Sequence, residues 1–165
     1  MIRVLVSACL LGEKVRYNGA DAASASAILE GWRAEGRIVA FCPEVAGGLG
    51  VPRPAAEIRG QDGGAVLDGT GHVVTVAGED VTPAFRRGAE LAVEAALAQG
   101  ARLAVLKEGS PSCGSGTIHD GSFTGGRKPG PGVTAALLER RGLRVFSELA
   151  LEQAAQYLRL LEHGG

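Results

Sequence analysis

The sequence predicts a single-domain α/β protein, a Rossmann-like three-layer sandwich with a mostly parallel sheet and helices on both faces. Two patterns point there. Short β-branched runs alternate with amphipathic helical stretches, and glycine or proline marks the junctions between them. The third observation is composition: 45% of the 165 residues are apolar but only 4% are aromatic, so Ala, Val, Leu and Ile must build the core. That length suits one domain with a real core, and no linker, repeat or low-complexity tail divides residues 1–165.

Each element follows from its local pattern. Residues 3–7 (RVLVS) read as a buried strand. Asp21 caps a helix running to about Glu35, which buries Ile28, Leu29 and Trp32 and stops at Gly36. A second strand covers residues 37–41. Residues 57–77 alternate weakly and contain Asp62-Gly63 and Asp68-Gly69, the signature of a small β-hairpin excursion. Thr82-Pro83 starts a long helix to about Gln99, with Phe85, Ala89, Ala92 and Ala96 on one face. A third strand spans 102–106, a helix 132–141, and a fourth strand 144–146. The last helix follows Ser147 and carries Leu151, Ala155, Leu158 and Leu161 along one stripe.

In such a fold the ligand site lies outside the carboxyl ends of the strands. Cys9 follows the first strand, Cys42 ends the second, and Cys113 sits in the loop after the third. All three therefore belong at one edge of the sheet. An odd number of thiols in a chain with no secretory pattern predicts free thiols, metal ligands or catalytic groups rather than disulfides. As single residues they would read as ordinary small core side chains. Three of them in Gly/Pro/Ser-rich loops at strand ends read as a shared soft-metal site. No paired C-x₂-C supports structural zinc, and the zinc-deaminase signature is absent. Widely spaced cysteines on three loops suit three irons of a four-iron cluster, with the fourth iron open to substrate.

Charge and hydropathy narrow the partners. A formal net charge of −1 disfavours a long nucleic acid, and a small molecule fits better. No apolar run approaches the ~20 residues that span a bilayer, and no secretory leader is visible, so a cytoplasmic protein with no membrane contact is expected. The 26 glycines cluster at 47–50, 60–71 and 109–132, as tight turns or a close backbone approach to a ligand require.

Taken together, Val6-Ser7-Ala8-Cys9-Leu10-Leu11-Gly12, Arg16-Tyr17-Asn18-Gly19, Phe41-Cys42-Pro43-Glu44 and Gly47-Gly48-Leu49 with Pro52-Arg53 form a distinctive set. Lys107, Ser110-Pro111-Ser112-Cys113-Gly114, the segment 120–125 and Gly130-Pro131-Gly132-Val133-Thr134 extend it. Over nearly its whole length the chain resembles the bacterial thiouracil desulfidases, long grouped as a domain of unknown function. The resemblance implies a [4Fe-4S] cluster on Cys9, Cys42 and Cys113 and a thiolated uracil or its nucleotide as substrate. It implies hydrolytic, non-redox cleavage of the carbon–sulfur bond with release of sulfide. Glu44 would be the acid/base group, assisted by Ser110 or Ser112, with Ser110 favoured. The chain departs from some relatives at Val15, where they carry a further cysteine, and at Asn18, where they carry aspartate and where substrate contacts could change.

Other residues read as follows. The glycine-rich stretch 109–132 is either a phosphate cradle, helped by Arg127, Lys128 and the next helix N-terminus, or a surface lid. Lys107 is a cation beside the cluster or an ordinary surface lysine. His119 is a candidate substrate contact, whereas His72 and His163 are expected to be exposed. Arg86-Arg87 and Arg140-Arg141 read as solvated helix faces. Two other classes compete with the enzyme: a non-catalytic iron–sulfur sensor or carrier, which needs no Glu44, and a nucleotide-binding module with incidental cysteines.

Overall fold

The computed structural model describes residues 1–20, 23, 24 and 26–164. Its centre is a four-stranded parallel sheet of β1 (Arg3–Ser7), β2 (Ile38–Phe41), β5 (Ala101–Leu106) and β8 (Arg144–Ser147), in the order β2-β1-β5-β8. The period of two sorts their side chains to opposite faces. Leu5, Ala104 and Leu106 pack with Ala92, Val93 and Ala96 of α4 (Thr82–Ala98) and Leu138 of α5 (Val133–Arg140). Val4, Val6, Leu103 and Val105 pack with Leu29 and Trp32 of α1 (Ala27–Ala34) and with Leu151, Ala154 and Leu158 of α6 (Leu151–His163). Helices thus cover both faces, which makes the expected three layers. Among the described residues no helix is long and apolar enough to cross a membrane.

Two segments differ from the sequence reading. The excursion does contain an antiparallel pair, β3 (Ala56–Arg59) with β4 (His72–Thr75), but a short helix, α3 (Gly63–Asp68), stands between them. The two Asp-Gly pairs are its ends rather than hairpin turns. Asp62 accepts from the Ala65 N–H as N-cap, and Gly69 closes the helix at φ +88°. Helix α1 begins at Ala27 with the Ser26 hydroxyl accepting from Ile28 and Leu29, and the expected cap Asp21 lies outside the described residues. A third cluster, Ile58, Val66, Val73, Phe85, Ile118 and Val133, fastens the β3–β4 excursion to α4 and α5.

Sequence reading also missed α2 (Pro43–Ala46) and the antiparallel pair β6 (Thr117–His119) and β7 (Arg127–Pro129). Both border the site. Helix α2 lies directly on α4: a Cβ on Gly47 would collide with the Ala84 carbonyl, and one on Gly88 with the Pro43 carbonyl. Two facing glycines let these backbones touch and set the position of Cys42 and Glu44.

Candidate active site

The strand order reverses between β1 and β5, and it is at such a reversal that a parallel sheet opens a crevice. A cavity of about 230 Å³ lies there, at the carboxyl ends of β1, β2 and β5. Ser7, Ala8 and Cys9 reach it from β1, Phe41 to Glu44 from β2 and α2, and Lys107 to Pro111 with Cys113 from the loop after β5. The far wall comes from Glu57 of β3, His119 of β6 and Arg127 of β7. The three cysteines that are 104 residues apart at the extremes share this one cavity, and all are free thiols.

Their environment opposes ionisation as the chain stands. Burial pushes the Cys9 thiol up to about 11, and the neighbouring Cys42 thiol pushes the same way, against Arg16 and Lys107. Burial likewise raises Cys42, which the N–H groups of Val45 and Glu44 at the start of α2 counter. Cys113 is raised by burial most of all, with the Ser7 hydroxyl opposing and Glu44 and the other two thiols adding to the shift. Among the described residues no three His, Cys, Asp or Glu side chains converge as tightly as a single metal ion requires.

Glu44 faces Arg53, whose Nε lies 3.4 Å from Oε1. Burial raises the Glu44 carboxyl above the usual carboxylate range, although the guanidinium pulls it back. Arg53 is itself fixed, donating to the carbonyls of Gly50 (3.0 Å) and Val15 (2.9 Å). The Cys42 thiol also points at the Val15 carbonyl, at 3.9 Å, so residue 15 meets the site through its main chain. Asn18 lines no part of the cavity; its side chain accepts from the Ala20 N–H in a turn.

The serines separate cleanly. Ser110 lines the cavity, and its oxygen accepts from the N–H groups of Ser112 and Cys113 at 3.1 Å each, leaving its own hydrogen to donate. Ser112 is fully buried and bonds Thr134 at 2.7 Å. The structure thus brings Cys9, Cys42, Cys113, Glu44 and Ser110 to one cavity and leaves Ser112 behind it.

The glycine-rich stretch is neither an open phosphate cradle nor a bare loop. The first N–H groups of α5 already donate to the Pro111 and Ser112 carbonyls, at 2.8 to 3.2 Å, so that helix N-terminus is closed to a ligand. Lys128 is occupied on the carbonyls of Ile58 and Gly60. Glu108 accepts from Gly109, Ser115, Gly116 and Thr117 and ties the loop together. Arg16 and Arg127 line the cavity and have no carboxylate partner among the described residues. Lys107 holds Glu148 at 3.2 Å. His72 and His163 are exposed, as are Arg86, Arg87, Arg140 and Arg141. Sequence reading assigned no role to Arg53 or Glu57, because neither spacing nor residue type marks a contact made through the fold.

Fold and cavity define a class: a doubly wound α/β enzyme whose cavity, at the strand-order switch, pairs soft sulfur donors with a half-buried carboxylate. A profile of the 2-thiouracil desulfurase family matches residues 4–150, and the chain belongs to that family. It is 48% identical over 145 residues to the uncharacterized protein YbbK of Bacillus subtilis (strain 168), covering 88% of this chain and 95% of that one. A solved structure of a [4Fe-4S]-dependent thiouracil desulfidase, TudS, superposes with a TM-score of 0.89 at 53% identity. The match covers 97% of this chain and 99% of that one.

Proposed function

We propose that residues 1–165 form one cytoplasmic desulfidase domain that hydrolyses a thiolated uracil to the uracil and sulfide, using a [4Fe-4S] cluster held by Cys9, Cys42 and Cys113. The observation that carries this is the meeting of three free thiols from three separate strand ends beside half-buried Glu44. The donor set fits such a cluster. Three thiols, two buried and one half-buried, that repel one another as thiolates call for a soft cationic partner. When bound, a cluster with one iron free of protein thiolate supplies a soft Lewis acid for a thione sulfur.

The chain's own residues supply the rest. Glu44 takes a proton from the water that adds to the thiocarbonyl carbon and returns it to the departing sulfur. Arg53 keeps the carboxylate aimed and limits how far burial raises it. Ser110 donates its free hydroxyl hydrogen to the charge that develops as water adds. Water's oxygen replaces sulfur on carbon and its two hydrogens leave with the sulfide, so no electron is gained or lost.

Arg16 and Arg127 favour a substrate that brings its own negative charge, so a thiouridine monophosphate is the form expected to turn over best. The test is anaerobic reconstitution with iron and sulfide, then a sulfide-release assay on 2- and 4-thiouracil, their nucleosides and their 5′-monophosphates. Sulfide release with uracil formed in equal amount supports the reading. A brown protein that releases no sulfide from any of them would leave the sensor or carrier alternative, and a colourless one would leave a nucleotide-binding module.

A further inference from the structure

His119 is a polar group of the cavity that the reaction above does not use, and its ring is held in one orientation. It sits in β6, in register opposite Arg127 of β7. Its Nδ1 lies 3.1 Å from the Gly109 carbonyl oxygen. A carbonyl only accepts, so Nδ1 carries the hydrogen, and the neutral ring presents a lone pair at Nε2. Nε2 has no partner among the described residues, and the half-buried ring lines the cavity. The support beneath the ring is well defined. Gly109 adopts φ +84°, bridges to Ile118, and lies under the Arg127 guanidinium, where a Cβ would sit 3.1 Å from the nearest nitrogen.

Most other acceptors on the cavity are engaged. Glu108 is filled by backbone N–H groups and Ser115, and the Ser110 oxygen already accepts twice. Among the described residues two carboxylate oxygens compete: Glu57 Oε2, left when Oε1 accepts from Gly121 and Phe123, and Glu44 Oε2, left when Oε1 faces Arg53.

We propose that His119 Nε2 is the specificity-determining acceptor for the N3–H of the pyrimidine ring, a proposal that rests on the desulfuration reading above. N3 borders the thiocarbonyl carbon whether sulfur is at C2 or at C4. A thiouracil seated with its sulfur toward the thiols therefore brings N3–H into the cavity in either case. An N–H enclosed without an acceptor is costly, so a cavity that binds this edge must supply one. A neutral imidazole does so without placing another negative charge beside the thiols and Glu44.

The test sets N3–H against N3-methyl ligands on the reconstituted protein, each as base and as 5′-monophosphate. Binding of uracil and 3-methyluracil is read by calorimetry, and kcat/KM for their thio forms by sulfide release. Wild type should prefer N3–H in both readings. His119→Ala should weaken N3–H binding and lower kcat/KM for N3–H substrates about 10- to 100-fold, chiefly through KM, and leave the methylated forms unchanged. His119→Gln, which keeps an acceptor, should retain part of the preference. An equal loss on both forms in His119→Ala, or an unchanged preference, overturns the proposal. So does a preference that disappears in Glu57→Gln and survives in His119→Ala. Wild type that desulfurates both forms equally overturns it and leaves desulfuration standing. Absence of sulfide release from every thiouracil overturns the desulfuration reading instead, and the uracil binding ratio still decides for or against His119.

Discussion

Glu44 and the two serines differ in what their bonding leaves free. Among the described residues the Glu44 carboxylate has one partner, Arg53, and burial raises it, so it can exchange a proton with water in the cavity. Glu44→Gln keeps the shape and removes the base; turnover should fall about 10² to 10⁴-fold with iron content unchanged. Wild-type turnover per iron in that variant would remove Glu44 from the mechanism. Ser110→Ala should lower kcat, whereas Ser112→Ala strands the buried Thr134 hydroxyl and should cost about 1–3 kcal/mol of stability with kcat per folded protein unchanged. Thermal melts beside turnover separate the two. At this scale the cysteines were legible because each follows a strand, and strand ends are where a parallel sheet binds. The serines were not separable from sequence, since what distinguishes them is a bond to Thr134 that only the packing of α5 on the loop creates.

At the scale of elements, the contact of α2 with α4 holds Cys42 and Glu44 in place. Alanine normally exceeds glycine inside a helix by about 1 kcal/mol. Gly31 in α1 has open space around it, so Gly31→Ala should raise the urea midpoint. Gly88→Ala should do the opposite, by about 1–3 kcal/mol, because its Cβ meets the Pro43 carbonyl and α2 must move. A stabilised Gly88→Ala would mean that the two helices have slack.

The loop after β5 depends on Glu108. Burial raises its carboxyl, but the N–H of Thr117, the Ser115 hydroxyl and the N–H groups of Gly116 and Gly109 outweigh this and hold it below the usual range. A lowered folded pKa adds stability that is present above the unfolded value and disappears as pH falls through the folded one. Glu108→Gln should therefore be less stable by about 1–2 kcal/mol at pH 7, with the gap closing below about pH 4. A gap that is flat with pH would mean the carboxylate charge contributes nothing. These elements were the hardest to read: α2 spans four residues and β6 and β7 three each, too short for any periodicity, and Asp-Gly marks a helix end as readily as a hairpin turn.

For the whole molecule, the strands of the central sheet were legible as short apolar, β-branched runs between turn residues, and the α4, α5 and α6 helices because each repeats its hydrophobic period over enough residues to declare a face. Their packing closes a core on both sides of the sheet, and although Cys9 and Cys113 join it, most of its residues lie away from the cavity. The protein should therefore keep its α/β circular dichroism spectrum when no cluster is bound, unlike a domain that metal folds. The central claim is that Cys9, Cys42 and Cys113 jointly hold the cluster that removes sulfur from thiouracil. The most direct measurement is iron content and sulfide release on the same anaerobic samples of wild type and of Cys9→Ala, Cys42→Ala and Cys113→Ala. Wild type should bind about four irons per chain and release sulfide, and each variant should lose most of its iron and all of its turnover with the fold retained. Full iron and wild-type turnover in any one of the three variants would contradict the account.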